Sequence, residues 1–302
     1  MAQFFEMLEK RWNAGARVCL GLDSKWDRIP PHIRTGTPDR EAGIFTFNSQ
    51  IIRATAGSLL CYKPNASAYQ ARTRRDQVLA QAALHQTIEF IHDYDPDTAV
   101  VDDAKRTDIG SSNEGYVEEI FGAFDADAIT VNPYFGGEAL MPFLMQTDKG
   151  IIVLCRTSNP GAKEFQDRTV SITDEEAEKW SLPKGATMPL YQLVAYRFSR
   201  EWNQNKNVAL VVGATYPEEL KEVREIVGDN MWLLNPGAGK KQGGNPALVV
   251  RNGINSRKRG IIINAGSDTL FASSGEDFAE ATAASVKNME SEINAELERI
   301  AA

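Results

Sequence analysis

Acidic and basic side chains alternate at the end of one short apolar segment, and their spacing could support proton transfer. Residues 98–101 are β-branched or small, which predicts a buried strand, and Asp103, Lys105 and Asp108 follow it. If the chain stays extended, Asp103 and Lys105 lie on the same side of the strand, about 7 Å apart. Opposite charges that converge there keep a lysine charged and aimed to deliver a proton. The alternative is a solvated cluster of ion pairs on a loop.

Eight short apolar segments, separated by helical or irregular stretches, are the elements that would position this cluster. They span residues 18–22, 60–63, 98–103, 128–132, 151–155, 208–212, 231–234 and 260–264. Apolar residues recur at spacings of three and four over 77–94 and 189–204, Pro217 opens another helix, and 277–300 carries a closing helical stripe. This alternation predicts an α/β protein, a (β/α)₈ TIM barrel in which residues 1–302 form a single domain.

Composition narrows the class of protein. The chain has 302 residues, 25% of them charged, and a formal net charge of −8, which argues against a nucleic-acid-binding surface. No apolar run approaches the roughly 20 residues that a membrane span needs, and the first residues do not resemble a secretory signal. We therefore expect a cytoplasmic protein whose partner is a small molecule rather than nucleic acid or a membrane. An anionic substrate would need a local basic pocket.

Neither the cysteines nor the histidines have the spacing of a metal site. The cysteines lie in apolar segments and look like small buried hydrophobes in a reducing compartment, while the histidines are scattered. These residues are Cys19, Cys61, Cys155, His32, His85 and His92. We expect no metal site and no histidine-based triad, and no dinucleotide or ATP motif is present.

Polar residues follow almost every predicted strand, at the end where a barrel carries its chemistry. They are Asp23, Lys63, Asp103, Lys105, Asn132, residues 156–161, 213–215 and 235–244, and residues 264–268. Taken singly, each signal is weak, because Lys63 could extend its amine from the core edge to water and Asp23 could cap a helix. Together they indicate one charged site.

Two loops at that end have compositions that suggest a role. Residues 236–244 are rich in glycine and include Lys240 and Lys241, so backbone amides and ammonium groups could hold a phosphate. The alternative is a flexible surface loop. Residues 161–188, the extended loop after the fifth strand, are predicted to be irregular, and loops of that length are often functional lids. We therefore predict an active-site lid there.

Longer motifs give the chain a resemblance to a known family. They are K-P-N at 63–65, D-A-K-R-T-D-I-G-S at 103–111, C-R-T-S-N-P-G at 155–161, V-G-A-T-Y-P-E-E-L at 212–220 and Q-G-G at 242–244. Over residues 21–273 the chain resembles orotidine 5′-phosphate decarboxylase, particularly its longer type, familiar from some bacteria. The D-x-K-x-x-D pattern alone also occurs in related sugar-phosphate enzymes, whereas the other motifs together are more discriminating.

The resemblance implies decarboxylation of orotidine 5′-phosphate to uridine 5′-phosphate in pyrimidine biosynthesis, without cofactor or metal. Lys63, Asp103 and Lys105 would come from one subunit and Asp108 from the partner subunit of a homodimer. Lys105 would stabilise the carbanion at C6 of the pyrimidine and then protonate it. Asp103 would destabilise the substrate carboxylate beside it.

The resemblance also implies contacts with the rest of the substrate. Asp23 and Lys63 match positions that contact the ribose, and Ser158 matches one that contacts the pyrimidine. Ser112 matches a residue of the partner subunit near the ribose, and Gln242 matches a phosphate contact.

The chain departs from the family pattern at the phosphate. After the eighth strand, where the family has an arginine, it has Ser267 or, in another alignment, Asp268. Lys240 and Lys241 also make the glycine loop one residue longer before Gln242. An acid would repel phosphate, and loss of a bidentate arginine weakens its binding. Either one of the two lysines replaces the arginine, or the substrate is a different or unphosphorylated nucleoside-like carboxylate.

Two other functions stay open at this point. The barrel could bind a nucleotide without catalysis, although a binding module has no need of lysines interleaved with acids. It could also be a Mg²⁺-dependent sugar-phosphate decarboxylase or synthase of the same superfamily. Insensitivity of the activity to EDTA would argue against that reading.

Overall fold

Eight parallel strands of the described chain close into a barrel, which confirms the predicted fold. The structure is a computed structural model that describes residues 3–69 and 74–301, without the side chains of residues 74–80 and of Lys240. The strands are β1 (Val18–Leu22), β2 (Cys61–Pro64), β3 (Ala99–Arg106), β4 (Ala128–Val131), β5 (Gly150–Arg156), β6 (Thr169–Ser171), β7 (Thr187–Pro189), β8 (Val208–Val212), β9 (Leu233–Asn235) and β10 (Ile261–Ala265). Around the barrel their order is β1-β10-β9-β8-β5-β4-β3-β2, and β6 pairs only with β7.

Helices connect the strands and cover the barrel. They are α1 (Gln3–Asn13), α2 (Pro31–Gly36), α3 (Arg40–Thr55), α4 (Ala66–Tyr69), α5 (Arg74–Tyr94), α6 (Ser111–Val117), α7 (Gly136–Leu144), α8 (Asp174–Trp180), α9 (Leu190–Arg200), α10 (Pro217–Val227), α11 (Pro246–Gly253), α12 (Ser267–Leu270) and α13 (Phe278–Ala301). No helix among the described residues is both long enough and apolar enough to cross a membrane.

Buried apolar side chains pack on both surfaces of the barrel wall. Every residue of β1, β8 and β10 is buried, as expected for parallel strands that helices cover. Outside the wall, Phe47 of α3 stacks on Phe271 and on Phe278 of α13, with ring centroids 5.5 and 5.1 Å apart. This stack joins the first part of the helical layer to the last.

The segment after β5 is folded, so the prediction of an irregular stretch over residues 161–188 is wrong. Here β6 and β7 form an antiparallel pair, and Thr173 caps α8 with a capping box. Trp180 packs with Ile172 and Met188 in a small core of its own and stacks on Tyr196 of α9 at 5.3 Å. The sequence pattern missed this unit because strands of three residues and a helix of seven are too short to display a period.

Candidate active site

Three charged side chains meet at the carboxyl end of the barrel. The Lys63 ammonium donates to Asp103 Oδ2 at 2.7 Å, and the Lys105 ammonium donates to Asp103 Oδ1 at 2.5 Å. The Thr130 hydroxyl donates to the same Oδ1 at 2.8 Å. One carboxylate is therefore held between two ammonium groups, as the alternating charges of the sequence predict, and the alternative of a wholly solvated cluster is wrong.

Parallel pairing of β2 with β3 brings Lys63 within reach of Asp103. Residues Cys61 and Tyr62 of β2 pair with Ala99 and Val100 of β3, so Lys63 and Asp103 both lie toward the carboxyl ends of these adjacent strands. Because side chains alternate along a strand, Lys63 points to the opposite surface from Tyr62, whose hydroxyl is 3.0 Å from that of Thr55 on α3. Lys63 consequently points into the barrel.

The backbone of β3 is irregular at Lys105. The register with β4 shifts between Asp102 and Arg106, and Lys105 has a φ of 50°. The Lys105 amide donates to the Thr130 hydroxyl at 3.0 Å, which holds the chain in this conformation. A left-handed non-glycine residue costs on the order of 1 kcal/mol. The prediction of a regular extended spacing is therefore wrong beyond Asp103, although the two charged groups still meet.

The two lysines differ in their access to a substrate. The Lys63 side chain is 5% exposed, whereas that of Lys105 is 47% exposed. A buried ammonium on a regular strand is fixed by its surroundings, so Lys63 can orient its neighbours. Lys105 reaches the open mouth of the barrel and can transfer a proton there.

Burial and ion pairing act in opposite directions on these groups. Burial disfavours the charged form of Lys63, but Asp103 and Asp23 outweigh it and raise the pKa of Lys63. Burial likewise disfavours the Asp103 carboxylate, but the charges of Lys63 and Lys105 outweigh it and hold the pKa of Asp103 well below its usual range. Asp103 is therefore an anion at neutral pH, and it cannot serve as a proton donor.

Asp23 lies close enough to contribute to this field, and it has a free acceptor. Its Oδ1 is buried and accepts no hydrogen bond from any described residue. The helix-capping alternative is wrong, because the N-cap of the following 3₁₀ turn, Trp26–Arg28, is Lys25, and no side chain caps that turn. A buried acceptor without a donor is costly unless a ligand supplies one.

Asp108 and Ser112 do not join the array within one chain. Among the described residues the Asp108 carboxylate has no ion-pair partner, and its Oδ1 accepts only from the amide of Ile109, at 2.7 Å. The Asp108 amide is tied to Asn113 Oδ1 at 2.8 Å. Ser112 is exposed near the start of α6. Asp108 is half-buried in the loop after β3, and no described contact joins Asp108 or Ser112 to the Lys63–Asp103–Lys105 network.

Ser158 sits on a loop that a buried arginine anchors. The Arg156 guanidinium lies 3.8 Å from the Tyr216 ring centroid, donates to the Thr157 carbonyl at 2.9 Å, and pairs with Asp167 at 2.8 Å. A Cβ on Gly213 would lie 2.8 Å from Ser158 Cα, so only glycine permits this approach. These contacts place Ser158 against the ends of the neighbouring strands.

The predicted phosphate contacts meet the end of β10. Gln242 lies beside Gly266, where an added Cβ would be 3.1 Å from Gln242 Nε2. The Lys241 amide donates to Asp268 Oδ2 at 3.2 Å, and the Lys241 ammonium is 3.7 Å from Asp268 Oδ1. Lys240 begins the short turn at this point, but its side chain lies outside the described ones. The structure therefore places the glycine loop and residues 266–268 in contact.

Sequence reasoning did not identify Thr130 as part of the site or Arg156 as an anchor of the Ser158 loop. Thr130 looks like an ordinary β-branched strand residue, and only the register between β3 and β4 reveals that it faces Asp103. Arg156 lies within a quoted motif, yet no spacing rule indicates that it is buried. Inward alternation along β4 is the one signal that could have found Thr130.

Comparison with known proteins agrees with this geometry. Residues 16–281 match the model of the orotidine 5′-phosphate decarboxylase / HUMPS family. The chain is 42% identical to orotidine 5′-phosphate decarboxylase of Aromatoleum aromaticum, over 92% of this chain and 93% of that protein. It is 37% identical to the same enzyme of Cellvibrio japonicus, over 96% and 98%. The structure of Leishmania donovani OMP decarboxylase matches with a TM-score of 0.76 and 30% identity, over 98% of each chain. The chain therefore belongs to the orotidine 5′-phosphate decarboxylase / HUMPS family.

Proposed function

We propose that this protein decarboxylates orotidine 5′-phosphate to uridine 5′-phosphate without a cofactor, as a carboxy-lyase of pyrimidine biosynthesis. The observation that carries the proposal is the Asp103 carboxylate held between Lys63 and Lys105 at the carboxyl end of the barrel. The family and its curated relatives support the same reaction.

Lys105 is the proposed proton donor. The bond from C6 to the carboxylate carbon breaks, carbon dioxide leaves, and the electron pair of that bond stays on C6. The Lys105 ammonium stabilises this carbanion and transfers one proton to it, and the neutral amine regains a proton from solvent. The Lys105 side chain is half exposed beside Asp103, so its ammonium is accessible to both substrate and solvent.

Asp103 and Lys63 are proposed to form a charged network in the site before the substrate binds. Asp103 stays ionised, so it repels the substrate carboxylate, and the repulsion disappears as neutral carbon dioxide leaves. Lys63 keeps Asp103 in place through a buried hydrogen bond of 2.7 Å. Because the network forms without substrate, little reorganisation is needed during the reaction.

The remaining substrate contacts are assigned by the resemblance and supported by geometry. Asp23 offers a buried, unpartnered oxygen that a ribose hydroxyl could satisfy. Ser158 lies against the loops after β8 and β9, where a pyrimidine would be read. Gln242, Lys240 and Lys241 are the proposed phosphate contacts.

A homodimer is proposed because Asp108 and Ser112 have no role within one chain. In the dimer each would reach the site of the partner subunit. The loops after β3 and β4 carry exposed apolar side chains near these residues, with Ile109 61% and Tyr134 84% exposed. Exposed apolar groups of this size favour an interface.

The segment 161–188 remains the proposed lid. Gln166 Oε1 accepts from the Thr157 amide at 2.8 Å, beside Ser158, so this folded unit adjoins the pyrimidine end of the site. The cytoplasmic location also stays a prediction.

The test of the proposed function is turnover. Purified protein with EDTA should convert orotidine 5′-phosphate to uridine 5′-phosphate, followed by the absorbance change of the pyrimidine. Absence of turnover at high enzyme and substrate concentration would contradict the proposal, and loss of activity with EDTA would favour the Mg²⁺-dependent alternative. Elution of the protein as a strict monomer at working concentration would contradict the shared site.

A further inference from the structure

The anion-binding loop of this barrel already holds an anion from the protein itself. Both oxygens of the Asp268 carboxylate face Lys241, one 3.2 Å from its backbone amide and the other 3.7 Å from its ammonium. The main-chain donor and the positive charge that a phosphate would use are therefore engaged by one carboxylate.

The surrounding contacts fix Asp268 against this loop. A Cβ on Gly239 would lie 3.4 Å from Asp268 Oδ2, so the carboxylate packs on the loop backbone. The Gln242 side chain lies between Gly239 and Gly266. A Cβ added to Gly239 would be 3.5 Å from Gln242 Oε1, and one added to Gly266 would be 3.1 Å from Gln242 Nε2. The Asp268 side chain is only 28% exposed, so it cannot turn fully into solvent when another anion arrives.

The Lys241 side chain, unlike that of Asp268, is largely exposed to solvent. It is 82% exposed, and an ion pair at 3.7 Å with such a side chain is weak and easily exchanged. A phosphate could draw the ammonium away from Asp268, but the carboxylate would remain near the phosphate and repel it.

We propose that Asp268 is a specificity-determining residue that competes with the substrate's 5′-phosphate for Lys241 and so reduces the preference of the site for the phosphorylated nucleotide. This inference rests on the proposed function for the identity of the substrate. An unphosphorylated ribose would meet no such penalty, since its 5′-hydroxyl can donate a hydrogen bond to the carboxylate.

The decisive variant is Asp268→Asn, because the amide oxygen can still accept from the Lys241 amide while the charge is removed. We expect the dissociation constant of uridine 5′-phosphate, measured by calorimetry at low ionic strength, to fall about tenfold or more. The dissociation constant of uridine should change less than about twofold, because uridine carries no charge there. The steady-state kinetics should change in the same direction, with a lower KM for orotidine 5′-phosphate and an unchanged KM for orotidine.

Two further variants keep the experiment decisive. Asp268→Ser removes the charge with a smaller side chain, so it tests the charge again if the first variant folds poorly. Asp97→Asn is the matched control, since Asp97 forms a surface ion pair with Lys10 at the opposite end of the barrel. It should leave the affinities for both ligands unchanged.

The outcomes separate this inference from the proposed function. Unchanged or weaker uridine 5′-phosphate binding in both Asp268 variants would overturn the inference, as would equal gains for uridine and uridine 5′-phosphate. Because the readout is binding, it does not depend on turnover. If the protein fails to decarboxylate orotidine 5′-phosphate while Asp268→Asn still gains affinity, the proposed function fails and the inference stands.

Discussion

The two ends of the barrel mouth carry lysine–aspartate pairs of very different character. At the catalytic end, Lys63 and Asp103 are 2.7 Å apart with side chains 5% and 10% exposed. At the phosphate end, Lys241 and Asp268 are 3.7 Å apart and far more exposed. The first pair is fixed before any substrate arrives, whereas the second can exchange partners. On the proposed function, this difference would assign the chemistry to a fixed network and the choice of substrate to an adjustable contact.

Energetics explain why the two pairs behave differently. Breaking a buried pair leaves one charge without a partner in a medium that solvates it poorly, which costs about 3–5 kcal/mol. An exposed pair contributes at most about 1 kcal/mol, because water solvates both charges well. Replacing Lys241 or Asp268 should therefore change the free energy of unfolding little, whereas replacing one partner of the Lys63–Asp103 pair should lower it substantially.

Asp102 and Asp103 sharpen this comparison, because they are adjacent and only one has ammonium partners. Burial raises the pKa of Asp102 to about 7, with Arg106 opposing the shift and Asp103 adding to it. Its Oδ1 is buried and accepts no hydrogen bond from a described residue. Burial without close ammonium partners thus favours the neutral acid at Asp102, while Lys63 and Lys105 reverse that preference at Asp103.

The largest expected effect is that of Lys105→Ala. Loss of the proton donor and of the charge that stabilises the carbanion should lower kcat for orotidine 5′-phosphate by about 10⁴-fold or more. Lys287→Ala, at an exposed position of α13, is the matched control and should leave kcat unchanged. Circular dichroism should show both variants folded. An active Lys105→Ala enzyme would remove Lys105 from its role.

Asp103→Asn should have the next largest effect, on stability as well as activity. It leaves the buried Lys63 ammonium without its carboxylate, which should lower the free energy of unfolding by about 3 kcal/mol at pH 7. Because the folded pKa of Asp103 lies below its unfolded value, its stabilisation is present above about pH 4 and is lost as the pH falls through the folded pKa. Urea titrations from pH 7 to about pH 2 follow the onset and much of this loss.

The wild type should therefore lose more stability on acidification than the Asp103→Asn variant. Asp97→Asn removes the carboxylate of an exposed pair and should follow the wild type closely. Parallel pH profiles for wild type and Asp103→Asn would show that the buried network does not couple protonation to folding.

Lys241→Ala should have a smaller effect, confined to substrate binding. Because Asp268 already offsets part of the charge of Lys241, KM for orotidine 5′-phosphate should rise about five- to tenfold with kcat unchanged. Steady-state kinetics with orotidine as the second substrate provide the comparison. An unchanged KM for the phosphorylated substrate would exclude Lys241 as a phosphate contact.

The smallest effect on activity is expected for Asp102→Asn, whose effect is on stability. The folded pKa of Asp102, about 7, lies above its unfolded value, so its ionisation destabilises the fold increasingly as the pH rises from about 4 to about 7. Removing the charge should raise the free energy of unfolding by up to about 4 kcal/mol at pH 8 and should flatten its pH dependence in that window. A variant less stable than wild type at pH 8 would contradict the assignment.

The fold could be predicted from the sequence because eight apolar segments alternate with helical patterns, and that signal depends only on local periodicity. The proximity of Lys63 and Asp103 could be predicted for the same reason, since parallel strands carry both residues to one end of the barrel. The bulge at Lys105 could not, because it depends on the pairing of β3 with β4 and on Thr130. The folded unit over 161–188 escaped because its strands are too short to show a pattern.

The contact between Lys241 and Asp268 lay beyond sequence reasoning for a different reason. The two residues lie on different loops, and the parallel pairing of β9 with β10 brings the loop after β9 to the end of β10. The sequence indicated that an acid stands near the phosphate end, but it gave no means of telling which group that acid would bind.

One measurement tests the central claim most directly, namely that the network of Lys63, Asp103 and Lys105 carries out decarboxylation. Orotidine 5′-phosphate is mixed with excess enzyme in EDTA, and formation of uridine 5′-phosphate is followed in a single turnover for wild type and Lys105→Ala. We predict complete conversion by the wild type and, on the same timescale, none by the variant. Equal rates for the two proteins, or no product from a folded wild type, would contradict the account.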